Sequence, residues 1–315
     1  MNIPLFVLGD FAWDVIISPD HKLHSGSDVI GKVQLLPGGS AANTAVWASR
    51  CGLKTAFCGK VGADPLGKLA EENLINEGVQ ALLKTSADYP TEVVAVWVDQ
   101  QGKKSTVSGK GADFYLEAEE LPYEILKTSE HIHISAWSLF TDPPKSASLK
   151  AADVVHTNGG KVSLDPASYQ MIKEVGVDKC IEIFKEMKPD IFFPNYDEGV
   201  VLTSQVVPEK IIERLVKIFD GALLCLKLDD RGALICDNNS MFHIAPVPGK
   251  LSDDTGAGDS FAGAFLSHYL RSKDIMLAGE LAVCVSSWTV ERYGARPVPD
   301  QLLIDRINQK KFQII

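Results

Sequence analysis

Asp259 stands one residue beyond three small ones, Gly256-Ala257-Gly258, and leads an apolar run with Phe261, Phe265, Leu266 and Tyr269 at helical spacing. The two glycines let the backbone turn tightly and approach a ligand closely. The spacing predicts a helix entered near residue 258, with the amides of Gly256, Ala257 and Gly258 pointing outward. Unpaired amides at a helix N-terminus, aligned with its dipole, form an anion site. A carboxylate on the first turn stabilises the helix, and that alone accounts for an aspartate there. Beside an anion site, the same carboxylate can take a proton from a hydroxyl attacking a phosphoryl group. Asp253 and Asp254 place two more carboxylates just before the turn.

Other constellations are spread along the chain. Asn195 and Glu198 lie one helical turn apart and face the same way. An amide and an acid so placed can hold the water shell of Mg²⁺, or they can form a capping box. Asn43 follows Gly38-Gly39 on an expected helix, where its amide can bond a sugar hydroxyl or simply face solvent. Asp14 can accept from two adjacent hydroxyls. The run Lys227-Leu228-Asp229-Asp230-Arg231-Gly232 reads as strand, turn, strand. His131 and His133 share one face of a strand; with no third ligand nearby, a structural role is the expectation. Trp13 and Trp137 either line a pocket or pack as lone aromatics.

The elements that position these residues follow a regular pattern. Leu5 to Leu8 reads as a short buried strand, and Thr55 to Cys58 as another. Asp64-Pro65 reads as the start of a helix, with Asp64 as its cap. From His131 onward, strands fall near 131–136, 161–165, 190–194 and 222–228, with helical segments between. Such alternation predicts an α/β fold, a central mostly parallel sheet with helices on both faces. Ligands of such sheets bind beyond the carboxyl ends of the strands. Asp10, Asp14, Ser135, Trp137, Asp165, Asn195 and Lys227 all fall at or just past expected strand ends. Segments 11–37 and 89–110 break the alternation, being all strand and turn. They are expected to form one small β-sheet lid inserted in a single domain spanning 1–315. Its half-exposed face, with Val29, Val33, Val94, Val96 and Trp97, calls for a partner.

Composition narrows the function classes. The chain has 315 residues, enough for one large α/β domain, with 45% hydrophobic and 23% charged residues. A net charge of −10 argues against non-specific nucleic-acid binding. No apolar run approaches the ~18 residues of a membrane span. The start, MNIPLFVLGD, has no basic region and reads as the first strand. Six cysteines without metal-ligand spacing point to a reduced, cytoplasmic setting. A dinucleotide oxidoreductase requires G-x-G-x-x-G after the first strand, where only Gly9 stands; no Walker-type G-K-[ST] occurs either.

The stretch DDTGAGDSFAGAF resembles the second signature of the ribokinase-like (PfkB) kinases. The first signature is matched by PGGSAANTAVWASRCG, with Gly38, Gly39, Asn43, Ala45 and Gly52, and a third element, N-x-x-E, by Asn195 to Glu198. The three occur in the family's order and span essentially the whole chain. The resemblance implies a ribokinase-like fold and an ATP-dependent kinase that phosphorylates an alcohol. It implies Asp259 as base, with Gly256, Ala257 and Gly258 as the anion hole. It assigns substrate contact to Asp14, Gly39 and Asn43; Gly38 and Trp137 are further expected substrate contacts. Nucleotide contact falls to Asn195, Lys227, Asp229 and Gly232, and Mg²⁺ to Glu198 and Asn195. Asp253 and Thr255 resemble positions where some relatives bind a monovalent cation such as K⁺; a capping role for Asp253 is the alternative. Lids of this kind often pair between subunits, which implies a homodimer.

The departures from the family pattern are specific. Asp229 replaces a usual Gly, and Val283 stands where many relatives have an Asn near the adenine. Ser40 stands where ribose kinases have Lys, and LDPASY lacks the Arg expected of acid-sugar kinases. A small neutral sugar, fructose-like or related, is therefore the expected substrate. The alternatives are a nucleoside kinase of the same fold and a non-catalytic sugar- or nucleotide-binding regulator.

Overall fold

Leu5–Leu8 is an unbroken apolar run with no exposed residue, the pattern of a strand covered on both faces. Its alternation divides the interior in two. Leu5 and Val7 join a core with Trp47, Phe265 and Trp288, while Phe6 and Leu8 join one with Val155, Phe184 and Leu215. The computed structural model describes residues 3–99, 104–237 and 240–311. Around this strand lies a nine-stranded sheet. In spatial order its strands are Ser240–Ile244, Ala233–Asp237, Leu223–Lys227, Ile191–Phe192, Lys161–Asp165, His131–Ser135, Leu5–Leu8, Thr55–Cys58 and Gln80–Ala81. All pairs are parallel except those made by the strands at 233–237 and 240–244, which extend one edge antiparallel.

Helices cover both faces, as the alternation predicts. Ser40–Arg50, Ala257–Ser272 and Ile275–Val290 cover one; Pro144–Thr157, Val177–Met187 and Pro208–Ile218 cover the other. The first two pack so closely that a Cβ on Gly263 would stand 2.6 Å from Thr44 O. This contact sets the first signature segment against the second. Trp47 and Trp288 meet edge to face at 5.9 Å beneath it. The helix Pro65–Asn76 starts as its residues dictate: Asp64 Oδ1 accepts from Gly67 N at 2.8 Å, and proline takes the first turn.

A separate four-stranded sheet runs Gly31–Pro37, Ala12–Pro19, Glu92–Val98, Lys104–Ser108. Its outer pairs are antiparallel and its middle pair parallel, with Asp14 between Leu36 and Val94. The polar turn at 100–103 lies outside the described residues. Of the residues expected on its open face, Val33 is 68% exposed, Val94 and Trp97 are half-buried, and Val96 is buried. Val29 precedes the strand and takes no part in its pairing. Val107 on the outer strand is 70% exposed. The two-strand pair of Lys60–Gly62 with Lys84–Ser86 was not anticipated, because short runs with lysine and glycine carry little alternation.

Among the described residues no helix is long and apolar enough to cross a membrane. All six cysteines are free thiols.

Candidate active site

The helix Ala257–Ser272 begins after Gly256, whose φ of 76° is the left-handed conformation that glycine adopts without strain. The expected set of outward amides needs one correction. Ala257 N donates to Asp254 O at 3.2 Å, so it closes the turn and does not face a ligand. The helical ladder starts with Ser260 N on Gly256 O. Among the described residues the Gly258 and Asp259 amides have no backbone acceptor, and they sit at the positive end of the helix dipole. Lys227 closes this cradle. Its Nζ lies 3.0 Å from the point a Cβ on Gly258 would occupy.

Asp259 is held from the other signature segment. Asn43 Nδ2 donates to Asp259 Oδ2 at 2.7 Å. Asn43 Oδ1 in turn accepts from Arg296 Nε at 2.6 Å. Arg296 also donates to Gly38 O at 2.6 Å and Asn73 Oδ1 at 2.9 Å, and its guanidinium stands 5.3 Å from the Phe11 ring centre. Burial pushes the Asp259 carboxyl up to about 7, against the Asn43 hydrogen bond; Asp165 and Asp10 push the same way, and Lys227 opposes them. A carboxylate poised near neutrality is suited to general-base work.

The substrate residues expected from the first signature lie around this chain of contacts. Gly38 N donates to Ala12 O at 2.8 Å. A side chain on Gly38 would overlap the Asp14 carboxylate, which fixes Asp14 over the Gly-Gly turn. Burial pushes Asp14 up to about 6, and Arg296 works against it. Gly39, at φ 85°, accepts from Asn43 N at 2.8 Å and opens the helix. Asp10 binds the Ser40 and Ala41 amides at 2.6 and 3.2 Å, so it acts as the cap of that helix. Trp137 is 38% exposed at the sheet's carboxyl edge and meets Phe140 edge to face. Trp13 is buried, with its indole N–H on Leu66 O at 3.0 Å, and it packs edge to face on Phe11.

At the other end, Lys227 Nζ and Asp165 Oδ2 pair at 2.6 Å. Burial works against the Lys227 charge, but Asp165, Glu198 and Asp259 outweigh it and raise its pKa. Asn195 and Glu198 do form a capping box. Glu198 N donates to Asn195 Oδ1 at 2.9 Å, and Asn195 N to Glu198 Oε2 at 2.8 Å. Glu198 is 1% exposed, and burial, then Asp165, push it up to about 8. A dication bound nearby would favour the ionised form of Glu198, which burial otherwise disfavours. Among the described residues no three carboxylate, imidazole or thiolate groups enclose a metal. An amide and a carboxylate side by side, as Asn195 and Glu198 stand, are donors that suit the water shell of Mg²⁺.

The remaining expectations divide. Asp229 adopts φ 55°, the left-handed conformation that suits the Gly found in relatives and that Asp tolerates better than most residues. Gly232 packs its backbone against Ile244 O. Val283 is buried in the helix Ile275–Val290. Asp253 caps two turns, accepting from Thr255 N at 2.8 Å and Gly294 N at 2.9 Å. His131 and His133 are fully buried, and burial holds them down at about 3 and 4, so they are neutral imidazoles. His133 Nδ1 pairs with Ser163 Oγ at 2.8 Å, a structural contact. Arg296 escaped the sequence reading altogether. It sits in an irregular Gly-Ala-Arg-Pro stretch where no periodicity marks a buried cation.

An open, mostly parallel sheet that gathers an amide cradle, a lysine and a poised carboxylate defines an α/β phosphotransferase with an alcohol acceptor. The chain belongs to the pfkB family of carbohydrate kinases, whose model matches residues 4–301. An Escherichia coli fructokinase is 28% identical over 272 residues, covering 85% of this chain and 84% of that protein. A nucleoside kinase of Methanothermobacter thermautotrophicus is 27% identical over 300 residues, covering 94% and 92%. In fold, a putative ribokinase II from E. coli in complex with ATP and Mg²⁺ matches at a TM-score of 0.84, with 24% identity and 99% of each chain covered. Sugar and nucleoside kinases thus stand at near-equal identity, so the family is fixed and the acceptor is not.

Proposed function

We propose that this protein is an ATP-dependent kinase that transfers the γ-phosphoryl group to a hydroxymethyl group of a small neutral sugar, fructose-like or related. The observation that carries the proposal is the Asp259 carboxyl, poised near neutrality beside the Gly258 and Asp259 amides and held by Asn43 at 2.7 Å. In this reading Asp259 accepts the proton of the attacking hydroxyl, and the amides with Lys227 receive the phosphoryl charge. Asp14, Gly38, Gly39 and Asn43 orient the sugar. Mg²⁺, bound with the nucleotide, would offset phosphate charge, with Glu198 and Asn195 ordering its water shell. Asp229 and Gly232 would frame the nucleotide. Phosphoryl transfer needs in-line positioning and charge neutralisation more than a strong base, which suits a carboxylate of modest basicity.

A neutral acceptor is favoured because Arg296, a buried cation that acts on Asp14, already aims its donors at three protein acceptors. We further propose that segments 11–37 and 89–110 close as a lid, and that the exposed Val33 and Val107 face a second copy in a homodimer. A cytoplasmic setting accords with six free thiols. Activation by K⁺ beside Asp253 and Thr255 rests on the resemblance alone, and turnover in K⁺ against Na⁺ tests it. A nucleoside acceptor is the second reading, favoured by the nucleoside-kinase relative that 94% of this chain matches. ADP release across a panel of neutral sugars and nucleosides decides between them. Release that is dependent on nucleoside and not on sugar overturns the sugar assignment.

A further inference from the structure

Asn43 offers two nearly isosteric faces, one donor and one acceptor. Arg296 can only donate and an ionised Asp259 can only accept, so the two contacts fix which face points where. With Oδ1 on Arg296 Nε and Nδ2 on Asp259 Oδ2, both bonds are charge-assisted, at 2.6 and 2.7 Å. A flipped amide would set donor against donor and acceptor against acceptor. Asn43 is 3% exposed and Arg296 8%, so water cannot easily relieve such a flip.

The guanidinium is itself clamped. Gly38 O and Asn73 Oδ1 hold its two terminal nitrogens, and the Phe11 ring covers one face. The backbone beside it is pinned to the helix Ser40–Arg50, through Trp47 Nε1 on Ala295 O at 3.0 Å and Arg50 Nη1 on Pro297 O at 3.0 Å. A planar fork locked on three sides aims a single N–H at Asn43 in a way a lysine ammonium cannot.

We propose that Arg296 is a positioning residue: it locks the Asn43 amide so that Nδ2 holds one oxygen of Asp259 and leaves the other for the attacking hydroxyl. This inference rests on the proposed role of Asp259. It adds a residue from the last part of the chain to a site otherwise built from the two signature segments. The groups facing Asp259 are Asn43, Asp165, Asp10 and Lys227, with Arg296 behind Asn43 and Glu198 behind Lys227. Loss of a well-aimed donor to a carboxylate raises its pKa, so loosening Asn43 moves the titration of Asp259 upward from about 7.

The test is the titration of the Asp259 carboxyl carbon by NMR in protein labelled at aspartate, with Asp259→Asn supplying the assignment. Arg296→Lys keeps the charge but not the fork. It should move the titration up by about one unit, roughly the worth of one hydrogen bond to a charged group. Turnover at pH 7 should fall several-fold and recover toward the parent rate near pH 9, where Asp259 is ionised in both proteins. In an Asn43→Ala background, Arg296→Lys should no longer shift the titration, because the route through the amide is gone. An equal shift in both backgrounds overturns the proposal, as does an unmoved titration in Arg296→Lys. Should Arg296→Lys fail to fold, Asn73→Ala, which removes one clamp, takes its place. It should give a smaller upward shift, and no shift overturns the proposal. The two readings fail separately. An Asp259→Asn protein with parent-like turnover ends the kinase mechanism, whereas an inactive one with an unmoved Arg296→Lys titration ends only this inference.

Discussion

Replacing Asp259 by Asn should change stability by an amount that depends on pH. Burial raises the Asp259 carboxyl from its ordinary 3.8 to about 7. Below about pH 4 it is protonated in both folded and unfolded chains and contributes nothing to the pH dependence. Between about 4 and 7 the unfolded chain loses the proton and the folded chain keeps it, so stability falls as pH rises. Above about 7 the full cost is present. From pH 5 to pH 8 the folded carboxyl crosses its pKa. Two units at ~1.4 kcal/mol each give an upper bound of ~3 kcal/mol for that interval. Partial access to solvent reduces this to ~1–2 kcal/mol. Asn avoids the ionisation cost and loses only the helix-terminus charge, worth ~0.3–1 kcal/mol. Urea unfolding of the two ligand-free proteins should therefore show the stability difference moving in favour of the Asn variant between pH 5 and pH 8. At pH 8 the Asn variant should be the more stable by ~1 kcal/mol or more. If Asp259 were only a favourable helix-terminal charge, the variant would be the weaker protein at pH 8. That outcome would refute the account of a buried, poised carboxyl.

Three further outcomes follow from the same geometry. Glu198→Gln preserves the capping box but not the charge, so it should raise the Mg²⁺ needed for half-maximal rate and leave sugar affinity little changed; an unaltered Mg²⁺ titration would leave Glu198 with capping alone. Gly38→Ala drives a methyl into the Asp14 carboxylate, so KM for the acceptor should rise ~tenfold or more while Tm moves little, and an unchanged KM would remove Asp14 from the substrate contacts. Amide exchange at Val94 to Val98 should slow with saturating acceptor and nucleotide; no change would end the proposal of a closing lid.

The strands of the core were legible because their residues leave no other choice. HIHIS and LLCLK are apolar or neutralised throughout and lie in a sheet covered on both faces. The helix after Asp64 was legible from its cap and proline. Asp259 and Asn43 were each visible within a signature segment, but the hydrogen bond between them spans 216 positions and no local pattern announces it. The pair of Lys227 with Asp165, 62 positions apart, was hidden for the same reason. Arg296 was the largest omission, since its role exists only where three distant segments converge. The Asn195–Glu198 spacing fitted two roles in sequence. The capping box is formed, and it engages Glu198 Oε2 and the Glu198 amide.

The central claim is that Asp259 takes the proton of the attacking hydroxyl. Single-turnover phosphoryl transfer by Asp259→Asn, with acceptor and nucleotide both saturating, tests it most directly. The Asn side chain preserves size and can still meet Asn43, so the protein should fold and bind both substrates. Transfer should be slowed by ~10²–10⁴-fold. A variant that transfers within about tenfold of the parent rate would contradict the mechanism, because so small a loss is below what general-base catalysis contributes.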